Sequence, residues 1–261
     1  MSFFKKVMAS VGVGATKIDA VLDTDRVCAG DSLSGVLHMY GGNIDQEVES
    51  VTLKFLTEMR VENDSDREDA PEKVTRRLEL ARYKISDKIT VTSEEHIEIP
   101  FHLDVPVDMP VSLGEVRSWV RTEADVSFAL DPKDDDAIEV MPHPVQGAFM
   151  NALDDLGFRI REIEFERKPR NWAGNIPFIQ EFEFFPVSGQ FRGKIDELEV
   201  AFVPCHEHIR IYMELDRRTG WLGEMLGMDE SNLYLDIPMD ADMSDASEVR
   251  SIISDFLSSK L

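Results

Sequence analysis

The chain is 261 residues long, 43% hydrophobic and 30% charged, with a formal net charge of -23 and a sequence pI near 4.6. A surface of that sign repels phosphate backbones and anionic headgroups, so nucleic acid and nonspecific membrane attraction are disfavoured and no nucleic-acid partner is expected; basic protein surfaces stay open, and solubility is the simpler reading of the acidity. Two cysteines, Cys28 and Cys205, provide no disulfide framework and fit a reducing cytoplasm, and no apolar run approaches the roughly eighteen residues of a membrane span.

At the N-terminus Phe3, Phe4, Val7, Met8 and Val11 recur at helical spacing and predict a short amphipathic helix ended by Gly12 and Gly14. Its apolar run is too short and too interrupted for an export signal, and two lysines are too few for a membrane-surface helix, so it reads as a cover for a sheet edge or the domain seam. Ile18, Ala20 and Leu22 then alternate with Lys17, Asp19, Val21 and Asp23 as a first strand. Between Asp25 and Glu58 come a tight turn at Gly30-Asp31, a strand, a loop at Gly41-Gly42 and a long further strand. Leu33, Gly35, Leu37 and Met39 share one face of the earlier strand, opposite Ser34, Val36, His38 and Tyr40, and Val51, Leu53, Phe55 and Thr57 line one face of the later strand. Two inward apolar rows joined by a polar loop make the unit of an antiparallel β-sandwich.

The acidic run from Glu62 to Lys73 predicts a solvated loop, and its ligand spacing is not that of a calcium-binding helix-loop-helix. A long strand follows from Lys73, with a helix as the competing reading. Ile97, Ile99, Phe101 and Leu103 alternate in the next strand, where Pro100 fits an edge position. Val116, Val120, Ala124, Val126 and Phe128 then oppose Arg117, Trp119, Arg121, Glu123 and Asp125. Asp131 to Ala137 reads as a second acidic turn ahead of a short closing strand, and Pro142 and Pro144 mark a boundary between domains at 1–142 and 143–261.

In the second half Val145, Phe149, Leu153 and Leu156 predict a short helix. Alternating runs around Ile163 and Phe165, Phe182 and Phe184, Leu198 and Val200, and Ile209 and Ile211 predict the strands of a second sandwich. The chain closes on an amphipathic helix with Val249, Ile252, Ile253 and Phe256 as its stripe and Ser244 or Ser247 as its cap. The fold class is thus all-β, two tandem antiparallel β-sandwich domains with short N-terminal and C-terminal helices.

The run FKKVMASVGVGATKIDAVLDTDRVCAGDSLSGVLHMYGGNIDQEVESVTLKFLTE resembles the SpoOM-type sporulation-control proteins, a bacterial branch of the arrestin-like proteins. The likeness continues through IEIPFHLDVPVDMP, VRSWVRTEADV, ALDDLGFRIREIEFE and LGMDES. The resemblance implies tandem arrestin-like sandwiches and a non-enzymatic cytoplasmic regulator or adaptor that acts by binding other proteins; a metal- or small-ligand-binding β protein is the alternative. A literal part in sporulation does not follow from it.

No nucleophile elbow, phosphate loop or dinucleotide fingerprint is present, and Ser112 or Ser188 joins a histidine and an aspartate only by arbitrary choice, so no catalytic residue is assigned. Trp221, Leu222, Met225, Leu226 and Met228 form an apolar stretch suited to anchoring a partner, with a small packed helix as the equal alternative. His206 and His208 would share a face if CHEH were a strand; two ligands fall short of a zinc set, so neither metal nor cofactor is expected. Open sheet edges offer homo-oligomer contacts or addition of a partner's strand.

Overall fold

The computed structural model describes residues 15–63, 73–127, 129–167, 177–217 and 230–261. The chain divides into two units: Met1–Glu58, Arg77–Ser112 and Val116–Met141 form one, and Met59–Arg76, Leu113–Glu115 and Pro142–Leu261 the other. The N-terminal residues of the expected first helix, Phe128, most of the acidic loop after Glu62, and Trp221 to Met228 lie outside the described residues.

The first unit is a two-sheet sandwich. Its strands are β1 (Lys17–Leu22), β2 (Arg26–Cys28), β3 (Ser32–Tyr40), β4 (Gln46–Glu62), β5 (Lys73–Ser86), β6 (Ile89–Val91), β7 (His96–Asp104), β8 (Arg117–Val126) and β9 (Lys133–Met141). One sheet has the order β1-β3-β7, and the other runs β2-β9-β8-β4-β5 with β6 alongside β4. Alternation explains which residues fill the space between them, because successive side chains of a strand point to opposite faces. Leu33, Leu37 and Met39 from β3 meet Val51, Leu53, Phe55 and Val120 from the facing sheet, all fully buried. Each such side chain contributes about 1.5–3 kcal/mol by leaving water. The connection after β3 therefore crosses from one sheet to the other; β3 and β4 face each other across the core and do not pair.

Gly35 is required by a close approach within the three-stranded sheet. A Cβ there would stand 2.5 Å from the Val21 carbonyl oxygen and 2.6 Å from Phe101 Cζ. Pro100 sits on β7, the edge strand its missing N–H demands. The segment after Lys73 is a strand, and the helical alternative is excluded.

One expectation for this unit is corrected. The acidic run after Asp131 is not a turn: β9 begins at Lys133 and carries Asp134, Asp135 and Asp136 as strand residues. Tertiary partners outweigh their turn preference, since Arg121 holds Asp135 with two 2.6 Å bonds and Asp134 Oδ2 accepts from the Ala20 backbone N–H at 3.2 Å. In addition, β2 pairs with β9 in parallel through Arg26, Val27 and Cys28.

The second unit contains α1 (Pro144–Asp155), β10 (Phe158–Arg167), β11 (Phe178–Pro186), β12 (Ile195–Cys205), β13 (His208–Arg217), β14 (Glu230–Pro238) and α2 (Ala246–Ser258). The strands form one antiparallel meander in sequence order. Among the described residues the layer opposite it is helical: Val145, Phe149 and Leu153 of α1 and Val249, Ile253 and Leu257 of α2 pack on Phe182, Phe184, Val200, Phe202 and Ile211. Helix α1 starts where Pro144 occupies its first turn, and His143 N donates to Gln146 Oε1 at 2.9 Å while His143 Nδ1 accepts from Val145 N at 3.3 Å. It ends before Gly157, whose φ of 93° only glycine adopts readily. Helix α2 is capped by Asp245, which accepts from Ser247 N and Glu248 N at 2.9 and 3.2 Å, and not by Ser244 or Ser247. Ile252 is 51% exposed, and Leu257 takes its expected place in the buried stripe.

Candidate functional site

The CHEH segment does not put its histidines on one strand. Cys205 pairs with His208 across a two-residue hairpin turn, and His206, with φ 51°, occupies the turn itself. His208 Nε2 stands 3.7 Å from Asp236 Oδ1, a carboxylate that Arg210 holds with bonds of 2.6 and 2.7 Å. The geometry supposed for a shared ion at His206 and His208 is therefore absent. Ser112 serves the backbone, its Oγ accepting from Val140 N at 2.9 Å.

Two carboxyl clusters are shielded within sheet faces. On β9, burial pushes Asp136 up to about 8, helped by Asp134 and Asp19, and Asp134 is raised as well, again chiefly by burial. On the meander, burial pushes Glu181 up to about 8, followed by repulsion from Glu199, Glu166 and Glu214, while Glu199 moves in the same direction. Acid-base catalysis by a carboxyl pair needs environments that drive the two groups apart. Here both members of each pair are shifted upward, chiefly by burial.

A groove of about 630 Å³ opens on the outer face of the larger sheet of the first unit, around Trp119 of β8. In register, Trp119 lies between Leu56 of β4 and Ala137 of β9. The Arg77 guanidinium stands over the indole at 5.1 Å and donates to Glu58 at 3.0 Å. Arg121 and Asp135 form a bidentate pair on the groove wall, which Ser118, Arg117 and Glu139 extend. Trp119 Nε1 is shielded from solvent and has no hydrogen-bond partner among the described residues. An unsatisfied buried donor of this kind costs about 1–3 kcal/mol. The surface thus combines an aromatic side chain, a guanidinium over its ring and a rim of paired charges. The sequence placed Trp119 on the charged outer face and gave no sign that Arg77, from another strand, would cover it.

The outer face of the three-stranded sheet carries a second constellation. His38 and Tyr40 of β3 lie directly opposite Glu98 and His96 of β7. Tyr40 stacks on His96 with ring centroids 4.5 Å apart and planes 6° from parallel, and His38 stacks on His96 at 5.2 Å. His38 Nδ1 and His96 Nε2 are 3.0 Å apart, and Glu98 Oε1 lies 3.5 Å from His38 Nδ1 and 3.8 Å from His96 Nε2. Further along, Ser34 Oγ and His102 Nδ1 make a cross-strand contact of 2.8 Å.

The family model described as SpoOM protein matches residues 4–219. The chain belongs to the SpoOM family. It is 32% identical over 261 residues to the sporulation-control protein spo0M of Bacillus subtilis (strain 168), with 98% of each chain covered. It also matches the crystal structure of Spo0M, sporulation control protein, from Bacillus subtilis, with a TM-score of 0.79 and 29% identity over 95% of this chain and 100% of that one. The structure it shares with these relatives is a mostly β fold of several sheets. No helix among the described residues is long and apolar enough to cross a membrane.

Proposed function

We propose that this SpoOM-family chain is a non-enzymatic cytoplasmic regulator or adaptor that acts by binding other proteins, with tandem domains over 1–142 and 143–261. Its contact surface is the Trp119 groove. The groove itself carries this reading: Trp119 with the Arg77 guanidinium over its ring gives an open recess in the larger sheet the aromatic and arginine character of a contact anchor. The name of the Bacillus subtilis relative supports a control function in the same sense. Self-association through the outer strands β7 and β14 belongs to the same proposal, and light scattering of the purified chain tests it.

Trp119→Phe removes the larger ring of the indole and with it part of the hold on Arg77, and it keeps an aromatic residue on the strand. Affinity capture from the native cell, read by mass spectrometry, is expected to return reproducible protein partners with the wild type and to lose most of them with Trp119→Phe. An unchanged partner set with the variant would overturn the assignment of this surface. A co-purifying metabolite or a turnover activity in place of partners would overturn the adaptor reading itself.

A further inference from the structure

From the outer face of the β1-β3-β7 sheet we infer that His38, His96 and Glu98 form a binding site for a divalent metal ion of the zinc class. The sequence separates the two histidines by 58 positions, but antiparallel pairing of β3 with β7 sets His38 opposite Glu98 and His96 two pairs further along, on the same face. Side chains opposite or diagonal on one face of a sheet are within reach of each other, and regular strands hold them in place more firmly than loops would.

The decisive observation is the convergence of three donor atoms on one point. Their separations are 3.0, 3.5 and 3.8 Å. Metal bonds of about 2.0–2.1 Å set at the tetrahedral angle place ligand atoms about 3.3–3.4 Å apart, so the three atoms already outline one face of such a tetrahedron. A pair of imidazoles bonded only to each other would explain the shortest separation, but it would not place a carboxylate oxygen almost equally close to both nitrogens. Stacking of Tyr40 on His96 fixes the ring that contributes Nε2.

Donor chemistry selects the ion. Two imidazole nitrogens and one carboxylate oxygen suit zinc and its neighbours, whereas calcium and magnesium require mostly oxygen ligands. The His38, His96 and Glu98 side chains are 19%, 43% and 59% exposed, so the set is open to solvent and leaves a fourth position for water or for a donor from another molecule. A net charge of -23 favours approach of a cation. The site is distinct from the Trp119 groove, which lies on the other sheet, and does not depend on the adaptor reading.

The test uses the full-length chain stripped of metal and equilibrated with zinc, and in parallel with cobalt, whose visible spectrum reports coordination. One zinc per chain and a tetrahedral cobalt spectrum are expected. His38→Asn and His96→Gln should each weaken zinc binding at least about tenfold, the loss found even when only a ligand's supporting partner is removed. His102→Asn and His206→Asn should leave it unchanged. Metal-free melting verifies that each variant folds. For a variant that does not fold, nitrogen shifts of the wild-type imidazoles on zinc addition, confined to two rings, supply the same answer. Zinc uptake by the wild type no greater than by the His38→Asn/His96→Gln double variant, or binding lost with His206→Asn, would overturn the site.

Discussion

Glu181→Gln should stabilise the protein at alkaline pH and leave it nearly unchanged at acid pH. Glu181 lies on β11 directly opposite Glu164 of β10, with Glu199 of β12 and Glu214 of β13 beyond it. Lys73 neutralises Glu164, and Arg161 lies between Glu183 and Glu197, but Glu181 retains its proton until about pH 8 because burial, and then Glu199, Glu166 and Glu214, penalise its ionised form. The sign follows from the raised value. A carboxyl that titrates near 4.5 when unfolded and near 8 when folded gives its full contribution to stability below 4.5, and that contribution is lost as pH rises through 8. At 1.36 kcal/mol for each tenfold change in proton affinity, the whole interval is worth roughly 5 kcal/mol, and the access of solvent to a partly buried side chain reduces this to about 1–2 kcal/mol. Glutamine keeps the shape and stays neutral. Urea denaturation followed by circular dichroism should therefore give the variant a small advantage at pH 5 and about 1–2 kcal/mol at pH 9, equivalent to about 2–8 °C in melting temperature. A variant no more stable than wild type at pH 9, or one whose advantage is the same at both pH values, would refute the reasoning.

Gly35→Ala should destabilise the first unit by about 1–3 kcal/mol, because its methyl group would meet the Val21 carbonyl and the Phe101 ring in a sheet that cannot spread locally; an unchanged melting temperature would show that β1 and β3 can separate there. Phe149→Ala should cost the second unit about 3–5 kcal/mol, since the ring is 1% exposed and packs edge-on against Phe202 at 5.7 Å. The readout is the urea midpoint, and a loss below about 1 kcal/mol would mean that α1 is not part of the core.

What could be read from the sequence follows the range of the forces involved. The alternation in β3, β4, β7 and β8 is a local consequence of burying one face of a strand, and it identified Leu33, Leu37, Val51, Leu53, Phe55 and Val120 as core before any pairing was known. The helical stripes of α1 and α2 are legible on the same ground, although only tertiary structure shows that they face the meander. The failures occur where a distant partner decides the outcome. Three consecutive aspartates favour a turn by local preference, yet Arg121 and the Ala20 N–H keep them in a strand. CHEH alternates like a strand, yet His206 turns the chain. The same limit applies to the metal site: His38 and His96 were each visible as outward residues, but their meeting is a property of register. If the β3-β7 pairing slipped by one residue, Glu98 would no longer stand opposite His38 and the donor set would come apart, while every residue on both strands kept its identity. Metal binding at this face would therefore report the register of the sheet as directly as it reports the three ligands.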